Sequence, residues 1–94
     1  MVLGTLRVTL HIPHSHSLKE KRMVVRSLVD RLRRQFNVAV AEIDAQDSWQ
    51  RGVVACVTVS SDQKYAEQLL QAVEREAVSL LGGILVDATV EWLA

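Results

Sequence analysis

The stretch GTLRVTLHIPHSHSLKE, residues 4–20, decides the fold, because two kinds of periodicity meet in it at a single proline. From Leu6 to Ile12 the even positions are apolar and the odd positions are polar, and this period of two predicts a strand with one wetter face. Pro13 ends the strand. Ser17 then offers its hydroxyl as an N-cap, and Glu20, three residues later, completes the pattern of a capping box. The stretch therefore predicts a strand followed at once by a helix.

The rest of the chain continues this alternation of strands and helices. The first helix is predicted to reach about Gln35, with the apolar stripe Leu18, Val25, Leu28, Val29, Leu32 and Phe36. Strands are predicted from Val38 to Ile43 and from Val53 to Ser60, joined by a hairpin loop within DAQDSWQRG. A second helix, capped by Ser60 or Ser61, runs from about Asp62 to Leu81 and stops at Gly82 and Gly83. In the last strand Ile84, Val86, Ala88, Val90 and Trp92 alternate with polar residues, which places Trp92 in the core.

This order, βαββαβ, predicts an α+β fold. Two right-handed crossovers joined by a hairpin give a four-stranded antiparallel sheet with both helices on one face, the ferredoxin-like sandwich. With 94 residues, 49% of them hydrophobic, the chain has enough apolar material for one core, so a single domain over residues 1–94 is expected. The other face of the sheet is left without a helix, which invites a ligand, a nucleic acid or a second subunit.

The composition indicates the kind of protein and the place in the cell where it is expected. No apolar run approaches the roughly 20 residues of a membrane-spanning helix, and the first ten residues lack the basic start of a signal peptide, so a cytoplasmic protein without a membrane partner is expected. Cys56 is the single cysteine and lies in the apolar stretch VVACVTV. It is predicted to be a small buried residue and not a nucleophile, because no base or cation accompanies it.

The formal net charge is zero, yet the charges are divided along the chain. Residues 1–36 carry eight Lys and Arg against two acids, a net charge of +6, whereas residues 37–94 carry three against nine, a net charge of −6. Such asymmetry suggests a polyanionic partner.

The first helix collects most of this positive charge. At about 100° per residue, Lys19, Arg22, Arg26 and Arg33 share one stripe beside the apolar one. Cations in the first turn of a helix are unfavourable unless an anion binds there. Two interpretations stay open at this point: an anion-binding face, or an ordinary solvated face whose cations pair with Glu67, Glu74 and Glu76 of the second helix.

The run HSLKEKRMVVRSL, followed by FNVAVAEIDAQDSWQRGVVACVTVS, resembles the YlxP-like family of small bacterial proteins of unknown function. The motifs SLKEKR at 17–22 and NVAVAE…DSWQR at 37–51 are specific when they occur in this order, and the resemblance covers nearly the whole chain. It implies a ferredoxin-like fold, no known enzyme activity and no catalytic residues to carry over. It also implies a genomic neighbourhood among translation and ribosome-maturation genes, which is association and not mechanism.

Other potential sites are weaker. His11, His14 and His16 could hold a metal only if the loop brought them together, so no metal is predicted. Trp49, beside Arg51 in the hairpin loop, could stack on a base or could instead fold back over the sheet edge. The third strand has no aromatic residue, which disfavours base reading by the sheet face. No P-loop or dinucleotide fingerprint is present, and no cofactor is predicted.

The leading hypothesis is an accessory protein that binds RNA or a ribosomal surface through its basic first helix. The residues predicted to contact phosphates are Lys19, Lys21, Arg22, Arg26, Arg33 and Arg34, with Trp49 and Arg51 as secondary contacts. The first rival is a homodimeric structural or regulatory module that associates through the sheet face of Thr5, Arg7, Thr9 and Thr89. An enzyme or binder of a small anion ranks last, because no catalytic constellation is found.

Overall fold

The structure is a computed structural model that describes all 94 residues. Its elements are β1 (Val2–His11), α1 (Leu18–Gln35), β2 (Ala39–Asp44), β3 (Arg51–Ser60), α2 (Gln63–Leu81) and β4 (Leu85–Trp92), with a 3₁₀ turn over Gly82–Ile84. The strands form one sheet in the order β2-β3-β1-β4, and all neighbours are antiparallel. The predicted βαββαβ ferredoxin-like topology is confirmed. Neither helix has the length and apolar composition needed to span a bilayer.

Both helices pack on the same face of the sheet, as the alternation in β1 predicts. Leu6, Val8 and Leu10 of β1 point toward the helices and are buried. Arg7 and Thr9, between them in sequence, point to the opposite face. The remaining core residues come from the inner faces of the other elements, chiefly Val25, Leu28, Leu32, Val54, Cys56, Leu70, Val73 and Ala77.

The start of α1 matches the predicted N-cap but modifies the capping box. Ser17 Oγ accepts a hydrogen bond from the Glu20 amide at 3.1 Å. The Glu20 carboxylate accepts one from the amide of His16 at 2.7 Å, one residue before the cap. The serine cap is therefore confirmed, while the return bond of the box reaches one residue further toward the N-terminus than in the standard motif.

The predicted cap of α2 is wrong by one residue, and its predicted stop is confirmed. Asp62 is the N-cap, and its carboxylate accepts from the Lys64 amide at 3.3 Å. Ser60 Oγ instead accepts from the Asp62 amide and so shapes the turn before the helix. At the other end Gly82 has a φ of 56°, a conformation that glycine adopts without steric cost.

β4 lies at the edge of the sheet, and this changes the expected place of Trp92. The pairing of β4 with β1 shifts by one residue between Thr9 and Leu10, so Val86 is left in a bulge and is 56% exposed. Trp92 is 38% exposed and packs over Gly4, where an added Cβ would lie 2.7 Å from Trp92 Cε3. The prediction that Trp92 is a core residue is wrong, because an edge strand leaves one side of the ring in water.

Candidate nucleic-acid interface

The exposed side of α1 carries a row of cations, here called the basic face, with the exposed acid Asp30 between its two halves: Lys19, Arg22, Arg26, Arg33 and Arg34. With a rise of about 1.5 Å per residue, the row from Lys19 to Arg33 extends about 21 Å. None of these five side chains has a carboxylate oxygen within 4.0 Å. The predicted pairing between α1 and α2 occurs at one place only, where Arg31 Nη1 lies 3.0 Å from Glu76 Oε1. The basic face is therefore open to an external anion.

Two shallow hollows lie along this row. Arg22, Arg26 and Arg33 line one of about 340 Å³ between α1 and β2, together with Val25, Val29, Asp30 and Glu42. Lys19, Arg22 and Arg26 line a second one of about 240 Å³ with Met23. Arg33 is held in place because its Nη2 donates to the Val40 carbonyl of β2 at 2.7 Å. A guanidinium has five donors, so those that Arg33 does not use there are free to bind an anion.

Lys21 does not belong to this surface, and its predicted role as a phosphate contact is wrong. Its side chain is 0% exposed. Its Nζ donates to Glu42 Oε2 at 2.7 Å, to the Ala45 carbonyl at 3.0 Å and to the Gln46 carbonyl at 3.3 Å. These three bonds use all three ammonium protons. Lys21 therefore ties the start of α1 to the loop between β2 and β3.

The helical wheel carries a signal for this burial that the charge pattern conceals. At about 100° per residue Lys21 falls between Leu28 and Leu32, in the middle of the apolar stripe of α1 and far from Arg22 and Arg26. The prediction grouped Lys21 with its exposed neighbours in SLKEKR because of its charge. Its angular position on the helix instead indicates a side chain that faces the core.

The loop that receives Lys21 has a backbone conformation that needs support. Ala45 has a φ of 59°, which costs a residue with a Cβ about 1–2 kcal/mol. Its amide donates to Asp44 Oδ1 at 2.7 Å and its carbonyl accepts from Lys21. Gln46 Nε2 donates to the Glu42 carbonyl at 3.1 Å. The buried ammonium and these local bonds offset the cost of the left-handed turn.

Trp49 and Arg51, both predicted as secondary contacts to a ligand, lie in different parts of the structure. Trp49 is 55% exposed in the β2–β3 loop, so the alternative in which it folds back over the sheet is not adopted. The loop is joined to the segment before α1, because the Gln50 carbonyl accepts from the Ile12 amide at 2.7 Å and Gln50 Nε2 donates to the Pro13 carbonyl at 3.2 Å. Trp49 therefore lies at the end of the molecule where α1 begins.

Arg51 points away from that end toward the other face of the sheet. It lines a hollow of about 320 Å³ with Arg7, Asp44 and Asp87, on the side opposite the helices. Arg51 is therefore not part of the basic face of α1, and its role as a secondary contact stays a prediction.

The remaining reactive side chains do not form a site with the basic face. His11, His14 and His16 are exposed, and no three His, Cys, Asp or Glu side chains of the chain are arranged to hold a metal ion. Cys56 is buried as predicted. Burial raises the pKa of its thiol above the ordinary value, and a hydrogen bond with the backbone of Leu6 opposes this only in part. Cys56 is therefore a protonated core residue at neutral pH.

Several solved structures share this architecture at low sequence identity. A de novo designed protein with a ferredoxin fold, LFR1 1, has a TM-score of 0.52 and 14% identity, covering 98% of this chain and 83% of its own. SnoaB, a cofactor-independent oxygenase from Streptomyces nogalater, has a TM-score of 0.51 and 16% identity, covering 99% and 90%. A dimeric ferredoxin-like protein of unknown function from Thermobifida fusca has a TM-score of 0.50 and 11% identity, covering 98% and 91%. At these identities the likeness establishes the fold and nothing about activity.

Sequence comparison identifies the family. The chain is 44% identical over 57 residues to "Uncharacterized protein YlxP" of Bacillus subtilis (strain 168), a match over 61% of this chain and 62% of that protein, which is less than two thirds of its length. A family model described as "Protein of unknown function (DUF503)" matches residues 3–88. The predicted resemblance to the YlxP-like family is thereby confirmed, and the chain belongs to this family of unknown function.

Proposed function

We propose that this protein is a non-enzymatic accessory protein that binds RNA, free or at a ribosomal surface, through phosphate contacts from the basic face of α1. One observation carries the proposal. Lys19, Arg22 and Arg26 lie within two turns of one helix, are exposed, and have no carboxylate oxygen within 4.0 Å. Unpaired cations in a row are the electrostatic footprint of a polyanion-binding surface.

The position of these cations adds a second reason. Cations near the start of a helix each cost about 0.3–1 kcal/mol because they oppose the helix dipole. Lys19 and Arg22 lie in or next to the first turn, and Lys19 has no partner in the protein that offsets this cost. A phosphate bound beside them would reverse the sign of the interaction.

The shape of the surface favours an extended ligand over a small anion. The row is about 21 Å long, and a single phosphate contacts only one or two of its side chains at a time. The two hollows along it are open to solvent and share Arg22 and Arg26, so the positive charge is spread along the helix and is not gathered in one enclosed pocket. A nucleic-acid backbone presents a phosphate at each nucleotide and can engage the whole row. The exposure of Trp49 near the start of the row supports the proposal, because an exposed indole ring can stack on an unpaired base.

The residues on the outward face of the sheet indicate how the protein would recognise RNA. RNA-recognition domains of this topology read bases with aromatic residues on their central strands, and the outward residues of β1 and β3 include no Phe, Tyr or Trp. We therefore expect recognition of backbone and shape with little preference for sequence. The family resemblance, with its neighbourhood of translation genes, makes ribosomal RNA the first ligand to test.

The test measures the affinity of the purified protein for ribosomal RNA and for isolated ribosomal subunits across a salt series. The variant Lys19→Gln/Arg22→Gln/Arg26→Gln removes three exposed cations from the basic face. Lys21 is kept, because changing it would disturb the fold. Each phosphate that the variant no longer neutralises should make the slope of log K against log[salt] shallower by about 0.7–0.9. The triple variant should therefore have a slope about two units shallower than that of the wild type.

A matched control removes the same charge from surfaces outside the basic face and the sheet face opposite the helices, as Arg31→Gln/Lys64→Gln/Arg75→Gln. Both variants have the same net charge, so a general electrostatic effect changes them equally. The proposal expects the control to bind nearly as the wild type does. Equal weakening of the two variants, or the absence of salt-dependent binding by the wild-type protein, would overturn it.

A further inference from the structure

The face of the sheet opposite the helices, here called the open face, is formed by the odd-numbered residues of β1 and β3 and by their neighbours on β2 and β4. The register places Arg7 beside Ala55, Thr9 beside Val53, and Ala55 in turn beside Ala41. Both helices lie on the other side of the sheet from these residues. Among them Val53 is buried and Arg7 is exposed.

The half of the open face formed by β2 and β3 is apolar and flat. Ala41 and Ala55 face each other across the strand pair and leave a low platform at its centre. Around them Ile43 is 51% exposed and Val59 is 63% exposed, and Val57 is partly exposed. Contiguous exposed apolar residues rimmed by polar ones are typical of a surface that another molecule covers.

The charges on the open face favour a second copy over a polyanion as that molecule. Arg7 and Arg51 are accompanied by Asp44 and Asp87 around one hollow, and Glu91 lies 3.8 Å from Arg7. Both signs are thus present in near balance, in contrast to the basic face. In a symmetric dimer each copy presents this same mixture of charges to the other copy. Acidic and basic side chains can then each face a side chain of opposite charge.

The area of the open face is sufficient for such a pair. Neighbouring strands are about 4.8 Å apart and each residue adds about 3.3 Å, so four strands of 10, 6, 10 and 8 residues present about 540 Å². Two copies would bury about 1,100 Å² in total, which is just above the roughly 1,000 Å² expected of a specific interface.

We infer that a second copy of this chain covers the open face, sheet against sheet, in a homodimer. Because the helices lie on the other side of each sheet, the two basic faces point outward in this dimer. Phosphate binding and dimerisation therefore use separate surfaces, and one can fail without the other. A dimer would also present two basic faces to a single RNA, which raises its apparent affinity through avidity.

The test is sedimentation velocity over a dilution series from about 100 µM to about 1 µM, the range that separates weak from standard interfaces. The variant Ala55→Arg places a charged side chain at the centre of the platform and points it into solvent in the monomer, so the fold should persist. The control Ser27→Arg adds the same charge to an exposed position of α1. Circular dichroism and thermal unfolding check that both variants are folded.

The inference expects twice the monomer mass for the wild type and for Ser27→Arg, and the monomer mass for Ala55→Arg at every concentration. A monomeric wild type across the series would overturn it. So would a dimer that persists in a folded Ala55→Arg, because the copies would then meet through another surface. Salt-dependent RNA binding by monomeric Ala55→Arg would leave the proposed function intact, and its loss in Lys19→Gln/Arg22→Gln/Arg26→Gln would leave the dimer intact.

Discussion

Replacing Lys21 by methionine should be the most damaging single change to a charged residue of this protein. Methionine keeps most of the apolar stem of lysine, so it leaves little cavity, but it removes the ammonium group. The Glu42 carboxylate then loses its charged partner, and the carbonyls of Ala45 and Gln46 lose their donor. Breaking a buried ion pair by removing one partner costs about 3–5 kcal/mol.

The accessibility of Glu42 places the expected loss near the lower end of that range. The Glu42 side chain is 18% exposed, so water can reach the carboxylate after Lys21 is removed and recover part of its solvation. We expect the free energy of unfolding of Lys21→Met to fall by about 3 kcal/mol. A domain of this size has a total stability of about 5–15 kcal/mol, so the loss is a large fraction of it.

The assay is equilibrium unfolding in urea, followed by far-ultraviolet circular dichroism. With a slope of about 1.5 kcal/mol per molar urea, the midpoint of Lys21→Met should fall by about 2 M. The control is Lys19→Met, the same substitution two residues earlier at an exposed position, which should change stability by less than about 0.5 kcal/mol.

A double-mutant cycle with Glu42→Gln then measures the interaction energy between Lys21 and Glu42. If Lys21 and Glu42 stabilise the fold through each other, the double variant should be more stable than the sum of the single losses predicts, by about 1–2 kcal/mol. A loss below about 1 kcal/mol in Lys21→Met, or additive effects in the cycle, would refute the reasoning that a buried, fully bonded ammonium holds the start of α1 to the β2–β3 loop.

Two further predictions concern the sheet. In Gly4→Ala the added methyl would meet the ring of Trp92 and come within 3.1 Å of Leu70 Cδ1, so the ring must turn outward, at a cost of about 1–2 kcal/mol. Trp92 emission, recorded in a Trp49→Phe background, should shift to the red, and an unchanged spectrum with unchanged stability would contradict the contact. For Cys56, burial raises the pKa of the thiol in the folded state, so the folded chain holds its proton while the unfolded chain releases it above the ordinary value of 9.0. Stability should therefore fall as the pH rises through this range, by at most about 1.4 kcal/mol per pH unit from this group. Cys56→Ala should lack this component, and parallel stability curves for wild type and Cys56→Ala at alkaline pH would rule it out.

The parts of the fold that were predictable are those that local chemistry specifies. The alternation from Leu6 to Leu10 assigns one face of β1 to the core whatever else the chain does, because successive side chains of a strand point to opposite sides. Ser17 caps α1 through an amide three residues away, and Gly82 ends α2 through its own backbone conformation. The basic face could be identified for the same reason, since angular position on a helix depends only on sequence spacing.

The differences between the predictions and the structure concern residues whose environment depends on contacts between distant parts of the chain. Lys21 is buried because its acceptors come from Glu42, Ala45 and Gln46, more than 20 residues further along the chain. Arg51 faces away from α1 because the register of β3 with β1 places it beside His11. Trp92 is partly exposed because β4 is at the edge of the sheet.

The sequence by itself therefore determined the order of the elements, their buried faces and their ends, since periodicity and capping act over a few residues. Only the folded chain determined which cations remain free for a ligand. That outcome depends on the carboxylates and carbonyls brought beside each cation, and contacts between residues distant in sequence are set by the packing of whole elements and not by local pattern.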